Sequence, residues 1–110
     1  MSEAIRASRD VIVRTAQWDD ALAFYGKVLG LAMTPAGDGL ARFETGAFAL
    51  YVERGGAHGP VFEFLVDDVV ATRGRLLAAG CILVEEDASV PRCYMRDPFG
   101  VTFNLGRATA

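Results

Sequence analysis

Histidine is nearly missing from this chain: His58 is the single one among 110 residues. It sits in Arg54-Gly55-Gly56-Ala57-His58-Gly59-Pro60, where it reads as a solvated linker residue. Cysteine is scarce too. Cys81 and Cys93 have no metal-ligand spacing and read as two reduced, buried thiols. Long apolar runs are lacking, since charges or glycines interrupt each one well short of a membrane span, so no membrane partner is expected. A basic-then-apolar leader is also lacking, which makes a cytoplasmic protein the expectation. No block of one charge sign occurs, and the formal net charge is −3. That balance argues against a nucleic-acid partner, whose phosphates ask for a basic surface.

What is present is ordinary for a soluble globular domain: 52% hydrophobic and 23% charged residues. The most informative stretch runs from Tyr94 to Leu105. Asp97-Pro98-Phe99-Gly100 is a turn, with Pro98 presetting φ. After it Val101, Phe103 and Leu105 alternate with Thr102, Asn104 and Gly106, giving a strand with one oily and one polar face. A weaker copy lies at Arg42–Tyr51. Laying Gly46 on Gly100 puts Arg42 on Arg96 and Leu50 on Asn104, so the chain reads as one module used twice.

The order of elements repeats accordingly. Asp10–Thr15 is rich in β-branched residues and reads as a strand after a frayed lead-in over residues 1–8. Trp18, Ala21, Leu22, Tyr25, Val28 and Leu29 recur at helical spacing, with Gly30 as the stop. Strands follow at Leu31–Thr34, Leu40–Glu44 and Ala47–Glu53, with a turn over Pro35–Gly39. In the second half Val61–Val66 is a strand and Asp67 or Asp68 caps a helix. Val69, Thr72, Leu76 and Ala79 face inward on that helix, which Gly80 ends. Cys81–Glu86, Arg92–Arg96 and Val101–Leu105 complete it. Each half is β-α-β-β-β, and the fold class is α+β: a mixed, cupped sheet with helices on its outer face. The domain is 1–110, with module 1 at about 9–55 and module 2 at about 60–106. Either half alone is too small to bury much core.

Each helix must cover one sheet face. Alternation assigns Val11, Val13, Ala47, Ala49, Tyr51, Phe62, Phe64, Val66, Val101, Phe103 and Leu105 to the covered face. The other face then carries Asp10, Ile12, Arg14, Phe48, Leu50, Val52, Val61, Glu63, Leu65, Thr102 and Asn104. Apolar walls with a few polar groups suit a small-molecule site. The ligand-binding candidates are Asp10, Ile12, Arg14, Phe48, Leu50, Val61, Glu63, Thr102 and Asn104. Phe48 and Trp18 could stack on a flat ligand, whereas Trp18 and Tyr94 also read as packing residues. Arg42 and Arg96 are expected to brace their turns through Glu44 and Asp97. A one-residue slip would exchange the two faces completely.

Three motifs in order resemble the glyoxalase / bleomycin-resistance / extradiol-dioxygenase superfamily, the vicinal oxygen chelate proteins. They are Trp18–Tyr25 with Val28-Leu29-Gly30-Leu31, then Phe64–Val69, then Asp97–Gly100 with Phe103-Asn104-Leu105. The resemblance implies paired β-α-β-β-β modules around a cupped cleft, commonly in a homodimer. It also implies a divalent metal held by four side chains, and those positions fall on Asp10, Leu50, Val61 and Asn104. Leu50 and Val61 have no donor atom, and Asn104 is neutral. Asp10 alone would bind well, so no metal or other cofactor is expected. The leading expectation is therefore a metal-free protein that sequesters a small organic molecule, like the bleomycin-resistance branch, with no catalytic residue. The alternative is a metal-dependent lyase, isomerase or dioxygenase with unusual ligands.

Overall fold

The computed structural model describes residues 5–90 and 92–108. Among the described residues there are nine strands and two α-helices, an α+β protein. The chain divides into two compact units, Arg9–Pro60, and Val61–Ala110 together with Met1–Ser8.

In the Arg9–Pro60 unit, β2 (Asp10–Thr15) leads into α1 (Trp18–Ala23) and a π-helical turn over Phe24–Val28. β3 (Ala32–Gly37), β4 (Leu40–Glu44) and β5 (Ala49–Arg54) follow, and the strands lie in the order β3-β4-β5-β2. β5 pairs with β2 in parallel, and the other two pairings are antiparallel. In the other unit β6 (His58–Val66, from Val61 onward), α2 (Val69–Ala78), β7 (Ile82–Asp87), β8 (Arg92–Arg96) and β9 (Thr102–Arg107) repeat this plan in the order β6-β9-β8-β7. β6 and β9 are parallel, and the short β1 (Arg6–Ala7) adds antiparallel to β6.

The helices end as their glycines predict. Gly30 (φ +72°) and Gly80 (φ +107°) take left-handed conformations. They turn the chain so that Leu31 N–H reaches Tyr25 O and Cys81 N–H reaches Leu76 O, both at 3.0 Å. The Asp68 carboxylate caps α2 by accepting from Ala71 N–H at 3.0 Å. Val69 and Leu76 pack on a core of Val66, Cys81, Cys93, Met95, Phe103 and Leu105, and Thr72 is fully buried. Ala79 is exposed rather than inward.

Helix α1 and the π-helical turn after it pack Trp18, Ala21, Leu22 and Tyr25 against Ala41, Phe43, Leu50 and Val52, joined by Val11, Val13 and Leu31. Leu50 and Val52 therefore lie beneath the helix, while Ala49 and Tyr51 lie on the opposite face beside Asp10 and Ile12. This reverses the phase expected for β5, and the loops explain it. Four residues connect the paired Glu44 and Ala49, whereas five connect the paired Arg96 and Thr102. An even and an odd loop leave opposite parities, so strand phase does not carry over from one hairpin to the other. Phe48 is in the turn before β5, its carbonyl and N–H both bonded to Thr45 Oγ.

Smaller departures have local causes. Leu29 N–H bonds to Phe24 O, and this widened turn rotates Val28 and Leu29 outward, leaving them 71% and 53% exposed. Leu31 becomes the next core residue instead. β3 runs through Pro35 to Gly37 with a register shift, tolerable because β3 is an edge strand. Arg54–Pro60 is not wholly a linker, since His58, half-buried, opens β6. A Cβ on Gly59 would stand 2.8 Å from Ile12 O, so only glycine fits there. Arg42 reaches Glu44 at 3.2 Å, but Arg96 donates to Thr102 Oγ, because Asp97 instead accepts from Phe99 and Val101 N–H. Of the lead-in expected over residues 1–8, the first four lie outside the described residues and Arg6–Ala7 form β1.

Leu50→Ala, at a site 8% exposed, is expected to cost about 2–5 kcal/mol in urea unfolding. Ile12→Ala on the opposite face is expected to cost about 1 kcal/mol. Equal costs would contradict the phase described for β5.

Candidate functional site

Each sheet has one face under its helix and one face away from it. On the Arg9–Pro60 unit the uncovered face carries Asp10, Ile12 and Arg14 of β2 opposite Ala49, Tyr51 and Glu53 of β5. Arg14 Nη1 lies 4.0 Å from Glu53 Oε1, and its Nε donates to Gly56 O at 3.0 Å. Its side chain crosses Gly55, where a Cβ would meet Arg14 Cδ at 2.9 Å.

The uncovered face of the other unit holds a more organised set. Glu63 on β6 lies opposite Asn104 on β9, Asn104 opposite Tyr94 on β8, and Tyr94 opposite Glu85 on β7. Asn104, 6% exposed, is bonded at both ends of its amide. Oδ1 accepts from Cys93 N–H at 2.8 Å, and Nδ2 donates to Glu63 Oε2 at 2.9 Å. The first bond determines the second: with the carbonyl end facing a backbone donor, only the NH₂ end is left for Glu63. The carboxylate in turn lies across Gly106, where a Cβ would stand 2.7 Å from Glu63 Oε2. Beside this set Arg92 pairs with Glu85 at 2.7 Å and covers the Tyr94 ring at 5.2 Å. Arg96 donates to Thr102 Oγ at 3.2 Å.

Of the nine candidate residues, the structure places Val61, Glu63, Thr102 and Asn104 on this one face, Val61 being 1% exposed. Asp10, Ile12 and Arg14 share the uncovered face of the other unit. Leu50 is packed in the core beneath α1, and Phe48 lies exposed in the turn before β5. Trp18 is also a core residue, donating from Nε1 to Val52 O at 3.2 Å, with Arg54 over its ring. Tyr94, Arg92, Glu85 and Gly106 were not among the candidates. The alternation in Arg92-Cys93-Tyr94-Met95-Arg96 was the available signal for the first two.

The metal positions implied by the resemblance do not fit an ion. In the Arg9–Pro60 unit they are Asp10 and Leu50, the second packed beneath α1. In the other unit they are Val61, a hydrocarbon, and Asn104, whose Oδ1 is occupied by a backbone N–H. Among the described residues no group of three or more His, Cys, Asp or Glu could hold a metal ion. Open hollows occur elsewhere. One of about 330 Å³ is lined by Val13, Thr15, Gln17, Asp20, Ala21, Phe24 and Tyr25, and one of about 380 Å³ by Asp67, Asp68, Val69, Val70 and Arg107. Neither brings together a bonded polar set like that around Asn104.

Two β-α-β-β-β units, each with a helix on one face and a polar network or ion pairs on the other, define the class of protein. Residues 10–106 match the family model described as Glyoxalase-like domain, and the chain belongs to that family, within the vicinal oxygen chelate superfamily. Solved structures share the fold. A hypothetical protein from Bacillus halodurans C-125 superposes with a TM-score of 0.68 at 13% identity, covering 97% of this chain and 96% of its own. The Mn(II)-bound glyoxalase from Novosphingobium aromaticivorans gives 0.64 at 22% identity, covering 96% of this chain. An extradiol ring-cleaving dioxygenase from B. fuscum gives 0.64 at 18% identity, again covering 96% of this chain. This chain spans only 40% and 33% of those two enzymes. No curated protein matches it.

Removing the Asn104 amide strands both the Cys93 N–H and the Glu63 carboxylate. Asn104→Ala is therefore expected to cost about 1–3 kcal/mol in urea unfolding, and a cost near zero would contradict the bonding described. The thiols give a second prediction. Burial, with Asp97 near Cys81 and Glu86 near Cys93, pushes both above the usual thiol value of 9.0. A raised value favours the neutral thiol of the folded state, so its contribution is complete below about pH 9 and is lost as pH climbs further. Native protein at pH 8 should react slowly with an aromatic disulfide reagent and urea-unfolded protein rapidly. Equal rates would contradict buried thiols.

Proposed function

We propose that this protein binds a small organic molecule on the uncovered sheet face of the Val61–Ala110 unit, without a metal ion and without catalysis. This is the mode of the bleomycin-resistance branch that the sequence resembles. The observation that carries the reading is the Asn104 amide. At a position where metal-using relatives place a ligand, this chain has a neutral side chain, with its oxygen turned to a backbone donor and its nitrogen to Glu63. Such a group orients a polar partner but does not supply a Lewis acid. Leu65, half-buried, gives the same face an apolar wall, and a few directed polar groups among apolar ones are what small-molecule sites use. A homodimer in the cytoplasm is the assembly and setting that go with this reading.

The test is calorimetric titration of the purified protein with metal-free bleomycin, with and without a chelator. Saturable heat that the chelator does not change is the expected result. Absence of heat at millimolar protein would remove the antibiotic reading. Binding that needs stoichiometric zinc, nickel, iron or manganese would overturn the metal-free reading as well.

A further inference from the structure

Resting on that reading of the site, we propose that the ligand presents a planar nitrogen cation, an amidinium or guanidinium group, which the Glu63 carboxylate receives while Asn104 and Gly106 hold the carboxylate in place.

Three observations lead to this class. First, the Glu63 carboxylate has one hydrogen-bond partner among the described residues, the neutral Asn104 amide, and no cation pairs with it there. A carboxylate offers about four lone-pair directions, so acceptor capacity remains on both oxygens. Second, the cations of the same face are otherwise occupied. Arg92 is held between Glu85 and the Tyr94 ring, and Arg96 is bonded to Thr102. Among the described residues Arg6, exposed opposite Leu65 at the end of the face, is the exception. Third, the carboxylate is placed, not merely tethered. Asn104 anchors one oxygen from the side, and the bare backbone of Gly106 lets the group lie across β9. A held carboxylate with acceptor capacity to spare matches a planar fork of N–H donors, a pairing stronger and more directional than one with an ammonium point charge.

Gly106 is then a positioning residue. An alanine there would displace the end of the Glu63 side chain, a flexible group, so the fold tolerates the change while the acceptor moves.

Amide NMR of the ¹⁵N-labelled protein, titrated with benzamidine, benzamide and benzoate, tests this. These probes share a flat ring and differ in the charge of the head group. Benzamidine is expected to shift the Asn104 side-chain NH₂ pair and the Cys93 backbone amide saturably, and benzoate to leave them unmoved. Glu63→Gln, similar in shape but uncharged, should weaken benzamidine about tenfold or more. Gly106→Ala should weaken it too while keeping a folded spectrum. Benzoate or benzamide binding as well as benzamidine, or an unchanged affinity in Glu63→Gln, would overturn the assignment. The proposed function fails separately. If bleomycin gives no heat while benzamidine still binds through Glu63, the cation site stands without the antibiotic. If bleomycin binds wild type and Glu63→Gln alike, the function stands and the cation site falls.

Discussion

The bond from Cys93 N–H to Asn104 Oδ1, 2.8 Å long, is the constraint on which the uncovered face depends. An amide has an acceptor end and a donor end, and a backbone N–H can engage only the acceptor. Once that end is taken, the donor end must turn to β6, where Glu63 meets it at 2.9 Å. The arrangement exists because β8 and β6 both flank β9, bringing a backbone donor and a carboxylate to opposite sides of one residue. Gly106, two residues along the strand, leaves the space in which the carboxylate settles. Local chemistry, strand order and side-chain direction thus converge on a single acceptor.

Much of this was legible in the sequence, and the remainder was not for identifiable reasons. Element order could be read because hydrophobic period changes from two to 3.6 and back at recognisable stops. Gly30, Gly80 and Asp68 end or begin the helices where their chemistry requires. The Val61–Ala110 face was readable because Glu63, Thr102 and Asn104 interrupt apolar alternation. β5 was not: Ala49-Leu50-Tyr51-Val52 is apolar at every position, so alternation is silent and the phase was borrowed from the repeat. A loop differing by one residue then inverted it, taking Leu50 and Val52 to the core. Gly106 was invisible for another reason: its importance lies in what a neighbouring side chain needs, and no local pattern encodes that.

The two units also show how one plan diverges in use. In Arg9–Pro60, Arg14 meets Glu53 and Gly56 O, and Arg42 and Arg9 both meet Glu44. The resulting pulls on Glu44, from the Gly46 N–H first and Arg9 next, hold its carboxyl below the usual value. In Val61–Ala110 the Glu63 carboxylate has, among the described residues, the neutral Asn104 amide as its hydrogen-bond partner. Of the four positions that the resemblance assigns to metal ligands, three hold leucine, valine and an asparagine bonded at both ends.

The most direct measurement is a crystal structure of the protein with metal-free bleomycin. A ligand nitrogen within roughly 3 Å of the Glu63 carboxylate, with Asn104 still bonded to the Cys93 N–H and no ion nearby, is the predicted result. A metal ion held by Asp10 or Asn104, or a ligand seated on the helix side of either sheet, would contradict it.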